Sequence, residues 1–326
     1  YTTLFRSGSA RNSALSTDRY VGKRRKVNRR RILRNVLIGI LVMVLTAGGA
    51  VAGYVHYING QLSSGLDKNL DDVLVPTEAG KPFYMLLLGI DKDEDRTGSS
   101  DYGTSDSAYR SDSIMLARID PQDKKVTLVS IHRDTLVNLD SHGQHKINDA
   151  YSIGGAGYAT KVIAQFAGVD ISHYAEIDMD GMAKVVDAVG GITVNLPVPV
   201  KDPEYTGLDL PAGEQTVNGM TAALLSRARH AYDNYGDGDL YRAANQRSVI
   251  IAVIKKLMAS DPATMVNTVT AMAEMVHTDM DAGSIAALAT QFRDMNVNED
   301  VMTGMEPTTS EYRNDTWYEK IGRAHV

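Results

Sequence analysis

A 23-residue apolar stretch near the N-terminus, residues 36–58, constrains this chain more than any other feature. It reads VLIGILVMVLTAGGAVAGYVHYI and contains no Asp, Glu, Lys or Arg. A helix of this length spans a bilayer core with some tilt, so we predict one transmembrane helix. The basic run KRRKVNRRRILR directly before it predicts that residues 1–35 stay in the cytoplasm. A cleaved signal peptide is the alternative, because residues 46–50 are small, but the apolar stretch is longer than a usual signal core.

Charge divides sharply at this stretch. Residues 1–35 contain 11 of the 34 lysines and arginines and one acid, whereas the remainder has 23 basic and 39 acidic residues, a formal net charge of −16. A domain this acidic does not bind nucleic acid through bulk charge, so we expect no nucleic-acid partner. The chain has no cysteine, which excludes disulfides, thiolate metal sites and a cysteine nucleophile.

The rest of the chain predicts a linker followed by one large domain. Residues 59–82 are polar and predict a stem with a short helix around residues 62–70, and the folded domain is predicted over residues 83–318. Residues 92–109 are rich in Asp, Gly, Ser and Thr and predict a mobile loop. Residues 1–7 and 319–326 resemble translated sequencing-adapter DNA, so we expect both to be foreign to the fold and the native ends to be missing.

Short apolar runs, typical of strands, alternate with amphipathic stretches, typical of helices. Because strands are interleaved with helices, we predict a three-layer α/β/α fold with helices on both faces of the sheet. A turn at residues 120–123 joins two strands as a hairpin, so the sheet should be mixed. Strands are predicted at residues 83–90, 113–119, 126–131, 173–177, 192–196 and 301–305, and helices within 148–168, at 180–189, 218–229 and 240–259, and from about 262 and 283.

Two acids at the ends of neighbouring predicted strands are candidate metal ligands. Asp91 directly follows the first strand, and Asp112 lies just before the second. Ligands of open α/β sheets bind outside the carboxyl ends of the strands, and two carboxylates with phosphate oxygens and water suit Mg²⁺. A turn role for Asp91 and a salt bridge between Asp112 and a neighbouring arginine are the alternatives.

Basic residues occur at the same boundaries and are candidate phosphate ligands. Arg110 precedes the second strand, Arg133 and Asp134 close the third, and Lys146 opens the next helical region. Guanidinium groups bind phosphate oxygens with two parallel hydrogen bonds. An Arg beside an Asp is often only a surface pair, and a single lysine is usually solvated. Three successive strands nevertheless carry such residues at their boundaries, which favours a binding site.

A second basic group surrounds the loop DNYGDGD, residues 233–239. Arg227 and Arg229 precede the loop at helical positions that do not share a face, so they converge only if the helix ends near Arg227. Arg242 and Gln246 share one face at the start of the long helix, where a cation is unfavourable unless an anion compensates. The arginines expected to meet in one anion-binding pocket are Arg133, Arg227, Arg229 and Arg242.

The ordered motifs of the domain resemble the LytR-CpsA-Psr family of membrane-anchored cell-wall enzymes. The match covers roughly residues 83–257 and rests on LLLGID, RSDSIML, SIHRD, KINDAY, VDAVGGITVNLP, AGEQTVNGMTAALLSRAR and GDLYRAANQ. The resemblance implies one transmembrane helix and an extracellular α/β/α domain. It implies Mg²⁺-dependent transfer of a phosphoglycosyl polymer, such as wall teichoic acid or capsular polysaccharide, from polyprenyl pyrophosphate to peptidoglycan.

The resemblance also assigns roles to the candidate residues. Asp91 and Asp112 match the metal-associated acids, and Lys146 and Gln246 match further polar positions of the pocket. A general base would help the transfer, and Asp91 and Asp134 are both candidates. The matches to the pyrophosphate-binding arginines are Arg110, Arg133, Arg227, Arg229 and Arg242.

Two departures from the family pattern bear on this assignment. The usual S-I-P-R-D has His132 in place of proline, and the usual R-x-x-R-Q has Asn245 in place of its second arginine. Losing one positive charge is expected to weaken binding of the head group. Two other functions therefore stay open: a polyprenyl-pyrophosphate hydrolase and a non-catalytic protein that binds wall polymer. A transcriptional attenuator is disfavoured, because the acidic domain would lie across the membrane from DNA.

Overall fold

The computed structural model describes residues 29–91, 110–236 and 238–322. The N-terminal segment 1–7 and the loop 92–109, both discussed above, lie outside the described residues. The chain divides into two compact units, residues 1–53 and 54–326. In chain order the elements are α1 (Arg29–Leu62), β1 (Phe83–Asp91), β2 (Arg110–Asp120), β3 (Lys125–Ile131), β4 (Leu136–Asn138), β5 (Gln144–Lys146), α2 (Asp149–Ala167), β6 (Ile171–Asp178), α3 (Met179–Ala188), β7 (Ile192–Leu196), β8 (Val200–Asp202), β9 (Leu208–Leu210), β10 (Gly213–Val217), α4 (Gly219–Arg227), α5 (Gly238–Met258), α6 (Pro262–Met275), β11 (Val276–Thr278), α7 (Ala282–Gln291), α8 (Val297–Asp300), β12 (Val301–Met305), β13 (Thr308–Arg313) and β14 (Thr316–Ile321).

The predicted apolar segment lies within the helix α1. The most apolar 18 residues of the stretch 34–62 have a mean hydropathy of 2.3, and this stretch forms a helix long and apolar enough to cross a membrane once. Near the end of this helix, Ile58 and Leu62 are buried with Ala273 of α6. The last turns of α1 are therefore part of the folded unit that begins at residue 54.

Residues 59–82, predicted as a polar stem, pack onto the domain. A 3-10 helix spans Lys68–Leu70 and is capped by Asp67, whose carboxylate accepts a hydrogen bond from the Asn69 backbone. Leu70 is buried in the cluster formed by β1 and α2 side chains. Since Leu70 of this segment is part of the core, the folded domain begins before the predicted boundary at residue 83.

A six-stranded mixed sheet forms the centre of the domain, as predicted. Its strand order is β11-β6-β1-β2-β3-β12. The pairs β1–β6 and β3–β12 are parallel, whereas β1–β2, β2–β3 and β6–β11 are antiparallel. Strands that are covered on both faces have nearly continuous apolar sequences, which explains the run FYMLLLGI in β1.

Helices cover both faces of this sheet, which confirms the three-layer fold. Ile114 and Leu116 of β2 belong to the cluster that contains the α2 side chains. Ile119 of the same strand belongs to a different cluster, together with Ile251 of α5. Since successive side chains of a strand point to opposite faces, α2 and α5 lie on opposite sides of the sheet. A further cluster joins α3, α4 and α5 to the antiparallel strand pair β7 and β10.

The C-terminal hairpin of β13 and β14 lies outside the predicted elements. Its turn contains Asn314 and Asp315, which both have positive φ angles, 50° and 58°. A two-residue turn with positive φ favours Asn and Asp and matches the twist of the flanking strands, so the sequence did contain a hairpin signal. Residues 319–321, excluded above because they resemble adapter sequence, lie in β14. The predicted end of the fold at residue 318 is therefore too early.

Candidate active site

A β-bulge between β1 and β2 shapes the site. The register shifts after Gly89, which pairs with Ser113, so that Asp112 is the extra residue of the bulge. Glycine is required at position 89, because a Cβ there would lie 2.8 Å from the Ser113 Cβ. The bulge takes the Asp112 carbonyl out of the β-ladder, and this oxygen accepts a hydrogen bond from Arg242 Nη2 at 3.3 Å.

Two arginines, the half-buried Arg133 and the buried Arg242, meet carboxylates at this bulge. Arg133 Nη1 donates to Asp112 Oδ1 at 3.0 Å, and Arg242 Nη2 lies 2.8 Å from Asp239 Oδ1. The side chains of Arg133 and Arg242 are only 19% and 8% exposed. Among the residues that the structure describes, no group accepts a hydrogen bond from the Nε of either arginine. A buried donor without an acceptor costs about 1–3 kcal/mol, so these two N–H groups favour an added anion.

The charged groups around the two arginines affect their pKa values in opposite directions. Burial lowers the pKa of Arg133, but the surrounding carboxylates, Asp112 foremost, outweigh burial and raise the pKa overall. Burial lowers the pKa of Arg242, and the positive charges of Arg133 and Arg229 lower it further. Arg133 and Arg229 therefore both lie within electrostatic reach of Arg242.

Backbone packing brings Arg229 to the N-terminus of α5. A Cβ on Gly238, the first residue of α5, would lie 2.5 Å from the Arg229 carbonyl oxygen, so the two backbones are in close contact. The helix α4 ends at Arg227, and Ala228 leaves the helical conformation with ψ of 113°. The helix therefore ends near Arg227, which is the condition stated above for Arg227 and Arg229 to converge. Arg227 itself is exposed at the last position of α4.

His132 connects the loop after β3 to α5. Its Nδ1 accepts a hydrogen bond from the Asp134 backbone N–H at 3.2 Å, so a neutral ring carries its proton on Nε2. This Nε2 lies 3.0 Å from Asp239 Oδ2, and the His132 backbone N–H donates to Glu306 Oε1 at 2.5 Å. A proline at this position has no N–H and could not make the contact with Glu306. His132 therefore replaces the family proline with contacts of its own.

Asp134 forms an ion pair beside the arginine cluster. Its Oδ1 lies 2.8 Å from Lys146 Nζ, and its Oδ2 lies 3.9 Å from Arg133 Nε. Burial raises the pKa of Asp134, but the hydrogen bond from Lys146 and the charge of Arg133 outweigh burial and lower the pKa overall. Asp134 is therefore ionised at neutral pH and can accept a hydrogen bond from an incoming hydroxyl.

Arg110 and Gln246, also predicted as site residues, make contacts outside this cluster. Arg110 pairs with Asp91 across the strands, and its side chain is 56% exposed with Nε 3.7 Å from Asp149. The Asp91 backbone ends β1, but its side chain lies outside the described residues. Gln246 is buried and its Nε2 donates to the Ser226 carbonyl at 3.0 Å, which links α5 to α4.

Three residues of the site lie outside the predicted set. Asp239 stands three residues before Arg242 on one helix, and this spacing is a signal of an ion pair. His132 is visible in the sequence only as a departure from the family pattern. Glu306 accepts a hydrogen bond from Thr135 Oγ1, in the loop after β3, at 3.1 Å. The two residues are 171 positions apart in the sequence, so no local pattern indicates this contact.

The geometry and the fold agree with the comparisons to known proteins. The LytR_cpsA_psr family model matches residues 52–325. This chain belongs to that family.

The chain is 31% identical over 279 residues to the polyisoprenyl-teichoic acid–peptidoglycan teichoic acid transferase TagU of Enterococcus faecalis. This alignment covers 82% of this chain and 86% of the relative. It is 36% identical over 251 residues to biofilm regulatory protein A of Streptococcus mutans, covering 71% of this chain but only 59% of that longer protein. The crystal structure of Bacillus subtilis TagV superposes with a TM-score of 0.63 at 25% identity, covering 75% of this chain and 92% of TagV.

Asp112 of this LytR_cpsA_psr domain carries a donor of the kind that Mg²⁺ binds. Mg²⁺ is commonly bound by one or two carboxylates together with substrate phosphates and waters. Asp112 contributes a carboxylate at the bulge, of which Oδ1 is held by Arg133. Within residues 29–91, 110–236 and 238–322, no three His, Cys, Asp or Glu side chains gather as a metal site.

Replacing Lys146 with methionine is expected to raise the pKa of Asp134. The variant keeps the length of the side chain but removes the charge that opposes burial. The lowered pKa of Asp134 means that it stabilises the fold above the ordinary carboxyl range, and that this contribution is lost as the pH falls through the folded value. A carbon-13 NMR titration of the aspartate carboxyl carbons measures the shift.

Lys161→Met is the matched control, because Lys161 pairs with the exposed Asp140 at 3.1 Å, away from the arginines. This variant should leave the titration of Asp134 unchanged. An Asp134 titration that is also unchanged in Lys146→Met would contradict the role given to the Lys146 ion pair.

Proposed function

We propose that this chain transfers a phosphate-linked glycopolymer of the teichoic-acid type from a polyprenyl-pyrophosphate carrier to peptidoglycan. The observation that carries the proposal is the buried arginine cluster, in which Arg133 and Arg242 each have an Nε–H without an acceptor among the described residues. An ionised carboxylate, Asp134, lies beside this cluster. The name of the Enterococcus faecalis TagU, to which 82% of this chain aligns, describes such a transfer.

The proposed reaction moves one phosphoryl-linked glycan between two oxygens. An acceptor sugar hydroxyl attacks the phosphorus nearer the glycan, and its proton passes to Asp134. The bond between that phosphorus and the bridging oxygen breaks, and polyprenyl phosphate leaves with the electron pair. Arg133, Arg229 and Arg242 stabilise the negative charge that develops on the leaving phosphate, since fixed charges act strongly where water is excluded.

Removing one arginine should weaken binding of the carrier without unfolding the domain. Arg229 is the best choice because it is half-buried and lies within electrostatic reach of Arg242. A charge-assisted hydrogen bond contributes about 1.5–3 kcal/mol, so Arg229→Ala should raise the Kd for a polyprenyl pyrophosphate about tenfold or more. Calorimetric titration of the full chain in detergent measures it. Arg293→Ala, an exposed residue after α7, is the control and should bind as the wild type.

Product analysis separates transfer from its alternatives. With polyprenyl-pyrophosphate-linked glycan and peptidoglycan together, the wild type should form glycan linked through phosphate to the acceptor. Release of free glycan phosphate at the same rate with and without acceptor would establish the hydrolase instead. Carrier binding with no product in either reaction would establish the non-catalytic binding protein.

We propose that Asp112 and Asp91 hold Mg²⁺ together with the pyrophosphate. When bound, the ion would neutralise phosphate charge and act as a Lewis acid. Asp112→Asn keeps the shape of the side chain and removes its charge, so it should abolish the magnesium dependence of carrier binding measured by calorimetry. Asn138→Asp, which alters charge at an exposed position of β4, is the control. Equal magnesium dependence in wild type and Asp112→Asn would leave Asp112 as only the partner of Arg133.

The proposed function requires the domain outside the cell, with the N-terminus in the cytoplasm. The basic residues before α1 and the 29-residue apolar helix support this orientation. Protease added to intact cells should then degrade the segment from residue 83 onward and spare an N-terminal tag. Full protection of the domain, with degradation only after lysis, would contradict the orientation and the proposed substrate with it.

A further inference from the structure

The C-terminal hairpin presents two aromatic side chains to solvent. Tyr312 and Trp317 are directly opposite each other in the β13–β14 ladder, with ring centroids 5.1 Å apart. Their exposed fractions are 56% and 59%. Exposed aromatic side chains are enriched at binding surfaces, because they supply a large contact area at a small cost in conformational entropy. Packing among the described residues does not explain why these two rings are exposed.

The hairpin is attached to the candidate active site. Glu319 N donates to the Asp134 carbonyl at 2.9 Å, and a parallel bridge joins Glu319 to Thr135. Lys146, the ion-pair partner of Asp134, lies 5.9 Å from the centre of the Tyr318 ring. Trp317 is two residues from Glu319 along β14, about 7 Å at the rise of a strand. Tyr312 and Trp317 therefore lie on the hairpin that is hydrogen-bonded to the Asp134 backbone, with their rings on the face opposite to the Tyr318 ring.

We propose that Tyr312 and Trp317 form a binding platform for a sugar ring of the acceptor glycan strand. A pyranose ring has an apolar face of C–H groups that packs on an aromatic ring, while its hydroxyls bond to neighbouring polar groups. Such groups surround the pair: Ser310 lies on the same face of the hairpin, and Asn314 and Asp315 form the turn. This proposal rests on the proposed function, of which it identifies the acceptor subsite.

Charge favours the acceptor strand over the two other candidates. Residues 308–321 contain three acids and two bases, and the chain from residue 36 onward has a net charge of −16. A polymer carrying phosphate on each repeat, the donor glycan, would be repelled here, whereas the sugar backbone of peptidoglycan carries no phosphate. A bilayer surface rich in anionic lipid is disfavoured for the same reason. Asp315 at the turn would also have to enter the headgroup region.

Trp317 is the only tryptophan of the chain, so its fluorescence reports on this platform alone. The full chain in lipid nanodiscs is titrated with soluble glycan fragments of peptidoglycan. A saturable change in tryptophan emission is expected, and Tyr312→Ala should raise the Kd about fivefold or more through loss of one stacking partner. Met302→Ala, which removes a side chain 55% exposed on β12, should bind as the wild type.

Three results would overturn the platform. The first is no emission change with the fragments, and the second is an equal Kd for Tyr312→Ala and wild type. The third is strong quenching of Trp317 in nanodiscs made with brominated lipids, which would assign the pair to the membrane surface.

Kinetics distinguish this proposal from the proposed function. Trp317→Ala should raise the KM for the acceptor about tenfold, as expected for loss of an exposed aromatic anchor, with the KM for the carrier and kcat unchanged. Trp317→Tyr should recover most of the loss, because it keeps a ring. Fragments that bind wild type but are never modified would refute the transferase and leave the platform standing. Transfer with equal acceptor KM in wild type and Trp317→Ala would refute the platform and leave the transferase standing.

Discussion

The ion pair between Arg133 and Asp112 is the interaction on which the rest of the site depends. A guanidinium that is largely removed from water needs a charged partner, and Asp112 Oδ1 supplies it at 3.0 Å. Asp112 can be this partner because the bulge after Gly89 turns it out of the β1–β2 ladder. The same bulge frees the Asp112 carbonyl for Arg242, so one backbone irregularity fixes two arginines. The sheet thereby determines where an anion can bind.

Contacts behind the cluster hold the loop after β3 in place. Glu306 accepts hydrogen bonds from the His132 backbone and from Thr135 Oγ1, and burial raises the pKa of its carboxyl group. Arg247 is buried and donates to Ser130 Oγ at 2.7 Å, so this arginine links α5 to β3. These residues contact the backbone around Arg133 and Asp134 and limit its movement. Fixed charges of this kind stabilise a transition state without further rearrangement.

More of the fold than of the candidate site could be predicted from the sequence. Continuous apolar runs such as that of β1 indicate buried strands, and the hairpin turn at residues 120–123 implies the mixed sheet that the structure contains. The bulge at Asp112 is different, because it arises from the register of two strands and from the lack of a side chain at Gly89. Glu306 is different again, since only the parallel pairing of β12 with β3 brings it to His132. Pairing between distant segments is what local patterns do not encode.

The substitution at Asn245 shows how the site accommodates the loss of a family arginine. Asn245 is buried, and its Nδ2 donates to Tyr232 Oη at 2.6 Å and lies 3.4 Å from the Leu225 carbonyl. These contacts tie α5 to the end of α4 and to the segment that follows Arg229. A longer, charged side chain at this buried position would need a carboxylate or a ligand phosphate as its partner. With asparagine, the proposed contact with the head group is left to Arg133, Arg229 and Arg242. The amide then acts by holding Arg229 in position rather than by adding charge.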